Sequence, residues 1–166
     1  MTLQVKQISF DEAKARAFAI RMRVFVSEQG VPRDIELDDD DQHAIHFLAT
    51  TSGRPVGTAR LVMPGKKAKI GRMAVLKKYR RKGIGSALLK RGIAAAKSRG
   101  ARKIFLYAQV PVIEFYEKMG FRCVGPVFDE AGIAHRQMIL MKRKRTQTRK
   151  GGRVGLTSAD NNRNAQ

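Results

Sequence analysis

The sequence predicts a mixed α/β domain in which helices cover a central sheet. Three observations support this fold class. Apolar and polar residues alternate over short runs, apolar residues recur at a helical period in longer runs, and glycine or proline separates the runs. The predicted order of elements is β-α-β-β-β-α-β-α-β-β. A chain of 166 residues with 43% apolar content is long enough for one such domain with a buried core.

The N-terminal half begins with an alternating run at residues 3–9, which predicts the first strand. The helix that follows has Ser9 and Glu12 at the spacing of a capping box, and it ends at Gly30. An acidic loop comes next. Two strands turned by Ser-Gly-Arg, and then a third, are predicted at 43–51, 55–63 and 67–76.

The C-terminal half contains the longest predicted helix, whose apolar residues share one broad face and which Gly100 ends. The run 103–109 is almost entirely apolar, which predicts a strand buried on both faces. A short helix begins at Pro111 and ends at Gly120. The closing strands are predicted at 121–125 and 135–143.

The charge of the chain is extreme and unevenly distributed. Its 34 Lys and Arg against 14 Asp and Glu give a formal net charge of +20. Residues 142–166 are strongly basic and almost free of apolar residues, so we expect a disordered tail after a domain that spans residues 1–141. The acids are concentrated at 34–41, DIELDDDD, which leaves a basic body with one anionic loop.

Several classes of protein and site are disfavoured. The N-terminal residues contain no apolar run of the length that a secretory signal or membrane helix needs, so we expect a soluble, cytoplasmic protein without membrane insertion. The single Cys123 is expected to be a buried apolar residue. We predict no metal site, because His43 and His46 would face opposite sides of a strand and lack partners at ligand spacing. For His135, a place in an acceptor pocket and an ordinary strand position both remain open.

The most informative stretch is RRKGIG, Arg80 to Gly85, between a predicted strand and the long helix. It is not a dinucleotide fingerprint, because Leu88 stands where that motif needs a third glycine, and it lacks the Gly-Lys-Ser/Thr of a nucleotide-triphosphate loop. Glycines let a ligand approach the backbone, the first N–H groups of a helix are unpaired, and the cations add charge. The residues alone allow either an anion cradle or a glycine turn beside a solvated basic patch.

With this motif, the segment Ile70–Phe121, which ends in FYEKMGF, resembles the GCN5-related N-acetyltransferase (GNAT) family. The family signature is Arg/Gln-x-x-Gly-x-Gly/Ala after a strand, and both motifs occur here at the family's spacing. The resemblance extends over residues 1–141 in element order, and segments 21–49 and 132–138 are similar to a bacterial subgroup of small acetyltransferases of undefined substrate. It implies the acyl-CoA N-acyltransferase fold, a mixed sheet flanked by helices in which two central parallel strands splay apart.

The resemblance also implies acetyl-CoA as co-substrate and a set of residues that bind it. Backbone groups of Met73, Ala74 and Val75 would pair with the pantetheine arm. Gln109 stands nearest to the place where many relatives carry an asparagine that touches the cofactor. The pyrophosphate would be bound by Arg80, Arg81, Lys82, Gly83, Ile84, Gly85 and Ser86.

The expected reaction is direct attack of a primary amine on acetyl-CoA in a ternary complex. It requires removal of an amine proton, stabilisation of an oxyanion and a proton for the thiolate. By resemblance, Tyr116 supplies that proton and the N–H of Val75 or its neighbour polarises the carbonyl. We predict Glu28 as the general base, with Glu36 or an aspartate of 38–41 as alternatives. These acids would also attract a small cationic acceptor, although a solvated surface loop explains the aspartates equally well.

Two other functions remain open. The basic patch at 77–82 and the tail fit a protein that binds nucleic acid or another polyanion, but no recognition helix, stacking platform or zinc pattern accompanies them. The fold is also compatible with a non-catalytic regulator that binds CoA. Weak polyanion binding through the tail and a homodimer would be compatible with an acetylating domain.

Overall fold

The computed structural model describes residues 2–143. The predicted tail lies outside the described residues from position 144 onward, so the domain boundary and the tail's role in polyanion binding stay predictions. Within the described part of the chain, no helix is long and apolar enough to cross a membrane.

Seven strands form one mixed sheet in the order β1-β2-β3-β4-β5-β7-β6. All neighbouring strands are antiparallel except β4 and β5, which are parallel. The predicted order of strands and helices is confirmed. The strands are β1 Leu3–Ile8, β2 Ile45–Thr51, β3 Arg54–Val62, β4 Lys67–Val75, β5 Lys103–Gln109, β6 Phe121–Glu130 and β7 Ile133–Leu140.

The N-terminal helix alternates α-helical turns at Phe10–Glu12 and Phe18–Arg21 with π-helical turns at Ala13–Ala17 and Met22–Glu28. The predicted capping box is confirmed, since the N–H of Glu12 donates to Oγ of Ser9 at 3.1 Å and the reverse bond is present. The central helix is Ile84–Ser98 and the short C-terminal helix is Ile113–Lys118. A helical turn at Arg33–Glu36 and 3-10 turns at Asp39–Gln42, Lys77–Tyr79 and Val110–Val112 complete the described elements.

The two faces of the sheet are covered differently. The central helix packs on one face, and Gly92 lets it approach closely, because a Cβ at that position would lie 3.3 Å from the side chain of Ile70. The N-terminal helix packs on the opposite face of β2, β3 and β4. The prediction that β5 is buried on both faces is wrong, since Ile104 and Leu106 are buried whereas Tyr107 is 36% exposed. Cys123 is half-buried on β6.

The strands β4 and β5 stay paired over only three positions, from Lys67–Lys103 to Lys69–Phe105, and then part. A bulge bends β4 just beyond this point. Thr58 of β3 faces Ala74 and Arg60 faces Gly71, so β4 has one residue more than β3 across the bulge. Arg72, within the bulge, has a φ of +48°. The predicted splaying of two central parallel strands is confirmed.

Candidate active site

A pocket of about 380 Å³ lies where β4 and β5 part. The N-terminal helix, both edges of the gap, the short C-terminal helix and the β6–β7 hairpin contribute to its walls. Six predicted site residues line it: Met73, Ala74, Val75, Arg80, Gln109 and Tyr116. The other cofactor-binding candidates follow Arg80 directly in the chain, at the start of the central helix: Arg81, Lys82, Gly83, Ile84, Gly85 and Ser86.

The start of the central helix has the backbone of an anion site. Gly83 precedes the helix with a φ of +80°, a conformation that side chains rarely adopt, and Arg81 has a φ of +60°. No side chain caps this end, and the first bond of the helix runs from the N–H of Ala87 to the carbonyl of Gly83. The three N–H groups between them are therefore available to an acceptor from outside the helix. Gly85 is less constrained, because a Cβ there would lie 3.5 Å from the ring of Phe115.

Arg80 lines the pocket and connects the end of β4 to the end of the N-terminal helix. Its Nε donates to the carbonyl of Val75 at 2.8 Å and its terminal guanidinium nitrogen donates to the carboxylate of Glu28 at 2.8 Å. Glu28 is not among the residues that line the pocket. The expected role of Glu28 as general base therefore has no geometric support, and its carboxylate is instead placed to orient Arg80.

The backbone of Val75 faces the gap. The N–H of Leu76 donates to the carbonyl of Val56 on β3 at 2.9 Å. Because successive residues of a strand direct their backbone groups to opposite sides, the N–H and carbonyl of Val75 point away from β3 and toward the gap. This is the orientation that the predicted polarisation of a carbonyl requires.

Tyr116 lies between two aromatic rings on the wall of the same pocket. Its ring makes edge-to-face contacts with Phe115 at 5.0 Å and with Phe121 at 6.1 Å between centroids. Burial raises the pKa of Tyr116 to about 12. The phenol is therefore protonated at neutral pH, as a general acid must be.

Gln109, at the end of β5, reaches across the pocket to the residue that follows the N-terminal helix. Its Nε2 donates to Oε1 of Gln29 at 2.8 Å. Sequence reasoning did not identify Gln29 as a pocket residue, because the contact joins positions 80 residues apart. The pair connects the end of β5 to the end of the N-terminal helix.

Three of the six acids in the acidic loop at 34–41 form ion pairs with arginines, so only part of the loop is the free anionic surface that the sequence suggested. Arg21, which is 1% exposed, donates to Glu36 at 2.8 Å and to Asp41 at 2.7 Å. Arg60 of β3 donates to Asp38 at 2.6 Å and to Asp41 at 2.9 Å. These three carboxylates are thus paired with arginines of the helix and sheet. Glu36 and Asp41 are buried, whereas Asp38 and the other three acids of the loop are exposed.

Arg72 completes a group of six that we call the buried ion cluster. Its members Arg21, Arg60, Glu36 and Asp41 are buried, and Arg72 and Asp38 lie at its more accessible edge. Arg72 lies 3.3 Å from Glu36 and 3.1 Å from Asp38. Burial raises the pKa of Glu36 despite the opposing effect of Arg72 and Arg21. Glu36 lines the pocket, yet each of its oxygens faces a guanidinium, so it is poorly placed to accept a proton from an amine.

His135 is a buried residue of β7 that also lines the pocket, so a role toward the acceptor stays a prediction. Its Nδ1 lies 2.7 Å from the carbonyl of Ile133. A carbonyl only accepts hydrogen bonds, so Nδ1 carries the proton and Nε2 of the neutral ring has a free lone pair. Nε2 lies 3.7 Å from the carboxylate of Glu130. His43 and His46 lie elsewhere, and buried His46 donates to the carbonyl of Asp41.

Comparison with known proteins agrees with this geometry. The sequence profile of the acetyltransferase (GNAT) family matches residues 14–121. An uncharacterized N-acetyltransferase of Bacillus subtilis, YjcF, is 36% identical over 130 residues, covering 78% of this chain and 93% of YjcF. An acyl-CoA N-acyltransferase from Pseudomonas aeruginosa has a similar structure, with a TM-score of 0.74, 26% identity and coverage of 84% and 100%. A GNAT acetyltransferase from Elizabethkingia anophelis with acetyl-CoA bound shares the fold, with a TM-score of 0.63, 20% identity and coverage of 82% and 94%.

Proposed function

Because the chain belongs to the acetyltransferase (GNAT) family, we propose that it transfers the acetyl group of acetyl-CoA to the primary amine of a small molecule. The family makes the chain an N-acetyltransferase with acetyl-CoA as acyl donor; the small acceptor and direct attack in a ternary complex are our proposal. The observation that supports it most is one pocket bounded by the bulged end of β4, the phenol of Tyr116 and the arginine that precedes the Gly83 turn.

The central helix and the basic residues before it would bind the diphosphate of the coenzyme. The N–H groups after Gly83 would donate hydrogen bonds to the anion, and Arg81 and Lys82 would add positive charge. Arg80 would exchange the carboxylate of Glu28 for the diphosphate. Met73 to Val75 have no β5 partner, so the gap-facing N–H of Val75 is open to an extended pantetheine arm. The carbonyl of Val75 accepts from Nε of Arg80 and would pair with the arm only after Arg80 turns away.

Each chemical requirement of the reaction then has a residue in the pocket. The N–H of Val75 would stabilise the negative charge that develops on the carbonyl oxygen. Tyr116 would donate a proton to the departing thiolate. We assign acceptance of the amine proton to Nε2 of His135, directly or through water. His135 lines the pocket, Nε2 is the ring nitrogen that the carbonyl of Ile133 does not engage, and Glu130 would stabilise the imidazolium that forms.

The experiment combines calorimetry with acetyl-CoA and thiol release in a panel of primary amines. We expect saturable binding and amine-dependent thiol release. Binding without transfer to any amine in the panel would contradict the catalytic proposal and favour a CoA-binding regulator. Failure to bind acetyl-CoA, with binding of an unrelated polyanion to the same surface, would refute the site itself. A homodimer stays a prediction that sedimentation would test.

A further inference from the structure

We propose that the acceptor amine carries a carboxylate on the same molecule and that Lys69 binds this carboxylate. The inference rests on the proposed acetyl transfer and names the class of acceptor. It replaces the expectation of a cationic acceptor, which depended on an acidic loop free to attract positive charge. Three of those acids, Glu36, Asp38 and Asp41, are paired with arginines instead.

Lys69 is positioned to contact a ligand in the gap. It is the last β4 residue paired with β5, it lines the pocket, and its side chain is half-buried. Its ammonium lies over the ring of Tyr107, 4.0 Å from the centroid. Among residues 2–143, no carboxylate lies within ion-pair distance of this ammonium and no hydrogen bond engages it.

The other cations of the pocket already have anionic partners. Arg72 is paired within the buried ion cluster, and Arg80 is paired with Glu28. The carboxylate of Glu130 faces the imidazole of His135. Lys69 is thus the cation on the pocket wall, in the described chain, that lacks an anionic partner, and a ligand with one negative charge would supply it.

The partly buried charge of Lys69 favours a ligand that carries a carboxylate. Burial lowers the pKa of Lys69 more than the charge of Glu130 raises it, and the charges of Arg60 and Arg72 lower it further. A carboxylate would restore the missing charge pair, while a polycationic acceptor would be repelled. At the same time, the lone pair of His135 and the charge of Glu130 suit the amine end of the molecule. The pocket therefore complements an amino acid-like zwitterion.

The test uses a series of amino acids of increasing chain length, each paired with the carboxamide that lacks the negative charge. Glycine, β-alanine, γ-aminobutyrate and ε-aminocaproate are each compared with the corresponding carboxamide as acceptors in the thiol-release assay. The full-length protein is compared with Lys69→Met, Lys69→Arg and the matched control Lys103→Met. Lys103 also lies near an aromatic ring, that of Phe105, but it is not on the pocket wall. Melting temperatures establish that the variants are folded.

We expect the wild-type protein to prefer the acid over the amide by roughly 10- to 100-fold in kcat/KM at the best spacing, the size of one charged hydrogen bond. Lys69→Met should abolish the preference by slowing the acid alone, Lys69→Arg should retain much of it, and Lys103→Met should resemble wild type. Equal use of acid and amide by the wild-type protein, an equal loss for both with Lys69→Met, or acetylation of diamines alone would overturn the inference while leaving acetyl transfer intact. Loss of acetyl-CoA binding in calorimetry would instead defeat the proposed function.

Discussion

Replacing Asp41 by asparagine tests the buried ion cluster that fixes the acidic loop over the sheet. Asp41 is 3% exposed and accepts hydrogen bonds from Arg21 at 2.7 Å and from Arg60 at 2.9 Å. Asparagine has nearly the same shape but no charge. The substitution therefore leaves three arginines facing two carboxylates, and two of these arginines, Arg21 and Arg60, are buried.

The expected loss in the free energy of unfolding follows from the pKa of Asp41. Burial alone would raise this pKa, but the hydrogen bonds and charges of Arg21 and Arg60 outweigh burial and lower it from 3.8 to about 2. At about 1.4 kcal/mol per pKa unit, the shift corresponds to roughly 2 kcal/mol. Removing one partner of a buried ion pair typically costs about 3–5 kcal/mol. We expect Asp41→Asn to lower the free energy of unfolding at neutral pH by about 2–4 kcal/mol.

The sign of the pH dependence is also fixed. Because the pKa of Asp41 is lower in the folded state, its stabilising effect is present above about pH 4 and is lost as the pH falls toward 2. The difference between wild type and variant should therefore narrow over that range. Urea unfolding followed by circular dichroism at several pH values measures it, with Asp40→Asn as the matched control at an exposed neighbouring position. Equal stability of the two variants at neutral pH would refute the reasoning.

Three further predictions concern the pocket. Tyr116→Phe should lower kcat by about 10²–10⁴ with little change in acetyl-CoA affinity, because only a proton donor is removed; an unchanged kcat contradicts its role. Glu28→Gln should keep kcat within about threefold and lower the KM for acetyl-CoA, because it removes a negative charge beside Arg80. If Glu28 were the general base, the same change would lower kcat by at least about 100-fold. Gly83→Ala should lower the free energy of unfolding by about 1–2 kcal/mol, because Gly83 has a positive φ. Gly85→Ala should leave that free energy unchanged or slightly raised, because a Cβ at Gly85 would make only ordinary contacts. Thermal unfolding compares the two variants.

The order of elements was predictable from the sequence because it is encoded in local spacing. Ser9 and Glu12 mark the start of the N-terminal helix, and Gly53 marks the turn between β2 and β3, without any information from distant residues. The glycine turn at Gly83 is equally local. Its chemical meaning came from its position between a strand and a helix, together with the downstream FYEKMGF segment.

The remaining features depend on contacts between distant positions. Nothing near Asp41 in the sequence shows that Arg21 and Arg60 will surround it, so a buried cluster resembled an exposed acidic loop. Lys69 carries no motif, and for His135 the sequence allowed two interpretations; only the folded sheet brings the two residues to one pocket. The sequence also did not predict the exposure of Tyr107. An apolar run shows that a strand is hydrophobic, but it does not show whether a helix covers the second face of that strand.

The brief pairing of β4 with β5 has a mechanical consequence. Three residue pairs join the β1–β4 part of the sheet to the β5–β7 part, and beyond them the outer half of β5 is hydrogen-bonded on its β7 side only. An extended ligand lying along Val75 would act as a removable extra strand between these two parts of the sheet. Binding of acetyl-CoA should then slow amide hydrogen exchange at Leu106–Gln109 as well as along β4. The acyl donor would thus make the sheet more rigid while it is bound.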